Sequence, residues 1–160
     1  MGNLEEELVQ RAVQVLEQSM TMNRTGNIAL DSGLGYVAFA LEEKHLFAGI
    51  NDEKRTALQR KFGHSIQEAF IQRYRAEPFS ARLSESELEE LMLHWWVSIH
   101  GVATLAASGY LSDKNRDQIS DIVQQTGSVI LSGFLRELSR RKDIPASDVD
   151  MTRDLARKTS

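Results

Sequence analysis

The sequence predicts an all-α fold, a single helical-bundle domain of about five main helices. Apolar residues recur at helical spacing along most of the 160 residues, and no alternating strand pattern persists for more than a few positions. The two prolines, Pro78 and Pro145, lie where elements are expected to end. A chain of this length is expected to form one domain. We place that domain at residues 1–142 and predict a polar, flexible tail at residues 143–160.

The first three helices follow from apolar spacing and capping signals. The first, residues 3–22, begins at Asn3, and Glu6 lies at the capping-box distance from it. The second spans residues 28–43 and is followed by a short predicted turn, "HLFAGI". The third spans residues 52–75. It carries a run of large side chains at i,i+4 spacing that predicts an inward face: Leu58, Phe62, Ile66, Phe70 and Tyr74.

The last two helices are predicted over residues 84–109 and 113–142. Ser84 and Glu87 form a second capping-box pair, and Gly109 is placed to end the fourth helix. Arginines and a lysine close the fifth helix, where cations suit its dipole. Both helices are apolar over a wider arc than a single buried face requires.

The second apolar side of these two helices predicts a four-helix homodimer interface. A domain of this size can cover it only by making one helix central or by pairing with another subunit. Gly101 and Gly133 cost helix propensity, so we expect another backbone to approach closely there. The predicted interface residues are Leu88, Leu91, Trp95, Val102, Ala106, Leu131, Leu135 and Leu138.

Composition excludes several classes of function. The chain has no cysteine, so disulfides, zinc knuckles and thiol nucleophiles are excluded. Its net charge is −4, and no basic face suited to nucleic acid is evident. The first residues lack the basic and apolar regions of a signal peptide. We therefore expect a cytoplasmic protein that does not itself bind DNA.

The stretch "LMLHWWVSIHGVATLAASGYL", residues 91–111, has the length of a membrane span but carries too many polar residues for one. His94 and His100 are six positions apart, about 120° around a helix, whereas a helical metal pair needs i,i+3 or i,i+4 spacing. The Glu-x-x-His pattern at Glu42 and His45 lacks the partner motif of di-metal bundles. No metal, cofactor or membrane span is predicted.

The aromatic and apolar residues shared by four predicted helices could converge as the lining of a small-molecule cavity. Tyr36 and His100 would be its two polar groups. The alternative is that the same side chains pack on one another as plain core, and for any single residue this is the favoured interpretation. The predicted lining residues are Met20, Tyr36, Phe39, Phe62, Ile66, Phe70, Met92, Trp96 and His100.

An enzyme is not predicted. The acidic pairs at residues 42–43 and 89–90 are typical of a solvated helix surface, and no His, Ser or Asp arrangement accompanies them. The "GLG" at residues 33–35 lacks the further glycine and the lysine of a phosphate-binding loop.

Two segments resemble a known family. "WVSIHG", Trp96 to Gly101, is similar to the Trp-x-x-x-His-Gly signature in the C-terminal regulatory domain of TetR-type transcriptional repressors. "GYVAFALEEKHLF", Gly35 to Phe47, resembles the segment in which that domain carries Tyr-x-x-Phe-Ala and then Leu-Phe. With the order of the helices, the likeness spans roughly residues 4–142. It departs from the family at Lys44, where proline is frequent.

This resemblance implies a function. It implies an Ω-shaped homodimer that holds a small apolar or aromatic effector within each subunit and signals through the first helix to a DNA reader. TetR proteins begin with a helix-turn-helix unit, which these residues lack, so DNA would be bound only through an absent N-terminal domain. We therefore expect a ligand-sensing and homodimerisation domain of a transcriptional regulator. The alternative is a ligand-free helical dimerisation or interaction domain.

Overall fold

Six α-helices make up the part of the chain that the structure describes. The computed structural model describes residues 2–78 and 80–142, so the predicted tail lies outside it. Two 3-10 turns precede the fourth and fifth helices, and the described residues contain no strand, which confirms the all-α prediction. The helices are α1 (Gly2–Thr21), α2 (Ile28–Glu42), α3 (Lys44–Ile50), α4 (Thr56–Arg75), α5 (Glu85–Ala107) and α6 (Arg116–Lys142).

The predicted turn "HLFAGI" is instead part of α3, so the expected count of about five helices becomes six within the described residues. Glu43 begins α3 without a side-chain capping bond. Phe47 is buried, and Leu46 and Ile50 pack against the core. Seven residues are too few for a stable isolated helix. Burial of its apolar side therefore stabilises α3.

The central element is α2, which packs against each of the other five helices. Asn27 caps it by accepting a hydrogen bond from the backbone N–H of Leu30, 3.0 Å away. A methyl group at Gly35 would overlap the backbone carbonyl of Ser19 in α1. The Ser19 hydroxyl also donates to the carbonyl oxygen of Gly35, at 2.8 Å. Glycine at position 35 thus lets α1 and α2 touch backbone to backbone.

Trp95 fixes α5 against α2 and α6. Added methyl groups at Gly33 of α2 or Gly127 of α6 would clash with its indole ring. Its Nε1–H donates to the Ser32 hydroxyl at 3.4 Å, and that hydroxyl lies 3.1 Å from the hydroxyl of Tyr74 in α4. Burial raises the pKa of Tyr74, which favours the neutral phenol. Trp95 is therefore a core residue that joins four helices.

Both ends of α5 agree with the capping signals in the sequence. The Ser84 hydroxyl accepts from the Glu87 N–H at 3.3 Å, and the Glu87 carboxylate accepts from the Ser84 N–H at 2.8 Å. Gly109 follows the last turn with φ of +82°, a conformation that favours glycine. The capping box and the helix end are confirmed. At the other predicted box, the side chain of Asn3 lies outside the described residues.

Ion pairs tie the start of α5 to the end of α6. Arg141 donates to both carboxylate oxygens of Glu90, at 2.8 and 3.0 Å, and Lys142 lies 2.7 Å from Glu87. Exposed pairs such as these add little stability. Because they join the start of α5 to the end of α6, these ion pairs show that the two helices run antiparallel. They also fix the register of the two helices.

Within the described residues, no helix is both long enough and apolar enough to cross a membrane. The same residues contain no group of three or more His, Asp or Glu side chains arranged to hold a metal ion.

Candidate ligand site

Five ring-bearing side chains from α2, α3 and α5 meet in what we call the aromatic cluster: Tyr36, Phe39, Phe47, Trp96 and His100. The Tyr36 hydroxyl lies 2.9 Å from Nδ1 of His100. Trp96 stacks on His100 with ring centroids 6.0 Å apart and meets the Tyr36 ring edge-on at 5.0 Å. The structure thus brings together four of the predicted lining residues. It adds Phe47, which the prediction omitted because its segment was taken as a turn.

Burial determines how the polar pair is protonated. Desolvation lowers the pKa of His100. It also raises the pKa of Tyr36, although a hydrogen bond with Asn51 opposes that shift. In a neutral imidazole one ring nitrogen carries the proton and the other accepts. The direction of the Tyr36–His100 hydrogen bond depends on the imidazole tautomer. In the tautomer that carries its proton on Nε2, the Tyr36 hydroxyl is the donor to Nδ1, and the Nε2–H faces no partner that the described residues supply.

The aromatic cluster reaches the surface at Trp96. This side chain is 43% exposed, whereas Tyr36 and Phe39 are each 1% exposed. Met92 and His100 are half-buried. The alternative of plain core packing therefore describes Tyr36 and Phe39, while Trp96 and His100 remain accessible to a ligand.

The remaining predicted lining residues lie outside the aromatic cluster. Met20 of α1 and Ile66 and Phe70 of α4 are buried in the main core. Phe70 packs on Tyr74, with centroids 6.3 Å apart, and within the described residues it makes no ring contact with the cluster. The side chain of Phe62 lies outside the described residues.

Two pockets of about 170 Å³ each lie elsewhere on the molecule. The second lies between α2 and α6, and its lining residues include Leu34, Val37, Ile119 and Val123. The first is lined by Met20, Thr21, Asn23, Gly26, Ile28, Asp31 and Arg73. Neither is the cavity that the sequence predicts beside Trp96. Met20 is the one predicted lining residue that borders either of them.

Four of the eight predicted interface residues are buried within one chain: Leu88, Trp95, Ala106 and Leu135. The others are half-buried: Leu91, Val102, Leu131 and Leu138. α5 packs against both α2 and α6, and the four buried residues belong to these contacting helices. For the four buried residues, the structure corrects the expectation of an uncovered second face, and an interface at the four half-buried residues stays a prediction.

The uncovered apolar surface of α5 and α6 is a different one. On α5, Leu93, Val97 and Leu105 are 59%, 61% and 44% exposed, and Val129 on α6 is 72% exposed. Leu93 and Val97 lie four positions apart, on neighbouring turns of α5, and Leu105 lies eight positions after Val97, about two turns further along. That spacing was the available sequence signal. This spacing did not stand out in the sequence because the same side of α5 also carries polar residues.

Gly101 follows Val97 by four positions on α5, and Gly133 follows Val129 by four positions on α6, so each glycine continues the exposed row of its own helix. A methyl group at either position would meet no atom within 4 Å, so the close approach predicted there is not made within one chain. We call Leu93, Val97, Gly101, Leu105, Val129 and Gly133 the open stripe. It combines exposed apolar side chains with two positions that lack a side chain.

Comparison with known proteins gives one match. The sequence matches the description "Tetracyclin repressor-like, C-terminal domain" over residues 30–126, which is more than half of the chain. The matched range begins in α2, ends in α6 and includes the whole aromatic cluster. No curated protein and no solved structure matches the chain.

Proposed function

The chain belongs to the family of tetracyclin repressor-like C-terminal domains, and from that premise we propose that it is the ligand-sensing and homodimerisation domain of a transcriptional regulator. Any contact with DNA is assigned to a part of the regulator outside these residues. The observation that carries the proposal is the open stripe, an apolar surface that one chain leaves uncovered on α5 and α6.

Pairing two open stripes would remove four large apolar side chains per subunit from water. Burial of half of each would contribute on the order of 1 kcal/mol per side chain before the cost of association. Gly101 and Gly133 would allow the helices of the second copy to approach closely. A two-fold axis presents the same surface twice, so α5 and α6 of both subunits would form a four-helix interface.

Single introduced cysteines test this interface directly because the chain has none of its own. If Val129 lies near the two-fold axis, the thiols of a Val129→Cys dimer are close, and a short bismaleimide should cross-link them efficiently. Leu4→Cys is the matched control, since Leu4 is 75% exposed on α1. It should stay a single chain on a denaturing gel. Equal cross-linking of the two variants would indicate random collision and would remove Val129 from the interface.

Ligand sensing is proposed at the aromatic cluster. Trp96 offers a partly exposed indole, and His100, in the tautomer that carries its proton on Nε2, would offer a hydrogen-bond donor beside it. An apolar site with one or two polar groups is the usual composition of a small-molecule site. The proposed effector is therefore a small aromatic or apolar molecule that carries one hydrogen-bond acceptor.

A short path leads from the aromatic cluster to α1. Tyr36 follows Gly35, whose backbone touches Ser19 of α1. A ligand that displaces Tyr36 would act on this contact, since tightly packed backbones leave little room for independent movement. The TetR-type resemblance assigns to α1 the role of connecting helix, so this contact is the proposed route of the signal. The ligand would act by binding one conformation better than the other.

Tryptophan fluorescence tests the sensing role. Wild-type protein is titrated with a panel of small aromatic and aliphatic carbonyl compounds, and at least one should change the emission. Loss of the Nε2–H in His100→Phe should weaken that compound by roughly threefold to tenfold. His94→Phe, at an exposed histidine on the same helix, is the control and should bind normally.

Trp96→Phe tests whether the fluorescence response arises in the aromatic cluster. The variant removes the tryptophan of the cluster and keeps Trp95, which is buried in the core, as the only remaining source of tryptophan emission. The response should largely disappear in this variant. Unchanged affinity and response in both Trp96→Phe and His100→Phe would place the ligand elsewhere. A dimer that no compound in the panel perturbs would favour the ligand-free dimerisation domain instead.

A further inference from the structure

The first pocket lies where α1, α2 and α4 meet, and two charged residues from different helices border it. Asp31 comes from the first turns of α2 and Arg73 from the end of α4. The apolar side chains of Met20 and Ile28 line the same space of about 170 Å³. This site is separate from the aromatic cluster and from the open stripe.

Asp31 has one carboxylate oxygen in use and one free. It is 6% exposed, and its Oδ1 accepts the backbone N–H of Thr25 at 2.8 Å and the Thr25 hydroxyl at 2.7 Å. Within the described residues no donor reaches Oδ2 and no cation pairs with the carboxylate. Among the described residues, Nε of Arg55 is the one side-chain polar atom that is fully buried and has no hydrogen-bond partner. Oδ2 of Asp31 also has no partner among them, so it cannot be fully buried. Oδ2 is therefore open to the pocket that Asp31 lines.

Arg73 is unpaired as well. It is exposed, and within the described residues its guanidinium forms no ion pair or hydrogen bond, in contrast to Arg75, which pairs with Glu85 at 3.0 Å. No ion pair joins Arg73 to Asp31, although both line the same pocket. The pocket therefore presents a free acceptor and a free cation, each without its counter-charge.

We propose that this pocket binds a small apolar α-amino acid. Its ammonium would bind Oδ2 of Asp31, its carboxylate would bind Arg73, and its side chain would lie on Met20 and Ile28. A zwitterion satisfies both charges at once, whereas an amine or an acid alone satisfies one and leaves the other unpaired. The volume of about 170 Å³ suits a short side chain such as that of valine, although the pocket is partly open to solvent.

The test uses L-valine and its two halves on the full chain, with binding followed by calorimetry and by amide NMR shifts. Isobutylamine is valine without the carboxylate, and isovalerate is valine without the amine. Valine should bind, and each half should bind on the order of tenfold more weakly because it loses one charge-assisted contact. The largest NMR shifts should fall on Thr25, Asp31 and Arg73.

Variants assign the two contacts. Asp31→Asn keeps an oxygen for Thr25 but removes the negative charge, and Arg73→Gln removes the positive charge at an exposed position that the fold does not need. Each should weaken valine by about tenfold. Arg75→Gln is the matched control and should bind as wild type does. If Asp31→Asn does not fold, Arg73→Gln with the two half-ligands still decides the question.

Three results would overturn the assignment. They are no binding of valine at millimolar concentration, equal binding of valine and isobutylamine, or wild-type affinity in Arg73→Gln. None of these results bears on the aromatic cluster, whose reporter and variants are different.

Discussion

At the scale of single residues, one missing methyl group governs the contact between α1 and α2. Gly35 lies against the backbone of Ser19, which cannot move aside as a flexible side chain could. Any larger residue must push the two helices apart. Gly63 on α4 provides the opposite case, because a methyl group there would meet no atom within 4 Å.

Gly35→Ala should lower the free energy of unfolding by about 1–3 kcal/mol, the usual cost of overpacking. Gly63→Ala, the control, should raise it by about 0.5–1 kcal/mol, because alanine favours helix. Urea unfolding at a single protein concentration measures both, since the stability of a dimer depends on concentration. Wild-type stability in Gly35→Ala would show that α1 and α2 are not in backbone contact.

His100 makes stability depend on pH. Because burial lowers its pKa in the folded state, the unfolded chain binds a proton more readily than the folded one. Stability should therefore fall as pH decreases through the ordinary histidine range, about 6.5. Above that range both states are neutral at this position, and His100 adds no pH dependence.

We predict that His100→Gln, which keeps an acceptor for Tyr36, has a smaller loss of stability between pH 7.5 and pH 5.5 than wild type has. Urea unfolding at the two pH values measures the difference. His94→Gln is the control and should keep the wild-type slope. An unchanged slope in His100→Gln would mean that the folded protein tolerates a protonated His100.

The adjacent tryptophans show what a sequence can and cannot predict about a site. Helical geometry places Trp95 and Trp96 about 100° apart, so the sequence correctly separates their faces. It does not reveal which face is covered. That depends on Gly33 and Gly127, which are distant in sequence and receive the Trp95 ring. Trp95, predicted at an interface, is therefore in the core, and Trp96, predicted in a lining, is partly exposed.

At the scale of elements, local signals were reliable and tertiary ones were not. The capping box at Ser84 and the glycine after α5 depend on residues within a few positions of each other, so the sequence predicts them. The short α3 lacks a side-chain cap, and it is helical because Phe47 is buried against other elements. Sequence spacing alone therefore suggested a turn there.

Ser84→Ala tests whether the capping box stabilises α5. Loss of the hydroxyl that accepts from the Glu87 N–H should lower the free energy of unfolding by about 1 kcal/mol. Ser112→Ala is the control, since its hydroxyl makes no hydrogen bond within the described residues and it lies in an exposed turn. Equal urea midpoints for the two variants would contradict the proposed stabilising role.

At the scale of the whole molecule, the open stripe is an apolar surface that the packing of a single chain leaves exposed. The sequence correctly indicated that α5 and α6 carry more apolar surface than a single face needs. Part of the side that it assigned to the interface is buried within one chain, at Leu88, Trp95 and Ala106. The exposed Leu93, Val97 and Val129 are now the proposed contacts.

The most direct test of the homodimer is the mass of the protein in solution. Light scattering at micromolar concentration should give twice the 18.1 kDa of the chain. Val97→Glu should give the single-chain mass, because a buried, unpaired carboxylate is costly. Leu4→Glu, an equally drastic change on exposed α1, should leave the doubled mass intact. A wild-type protein of 18.1 kDa across the micromolar range would contradict the account.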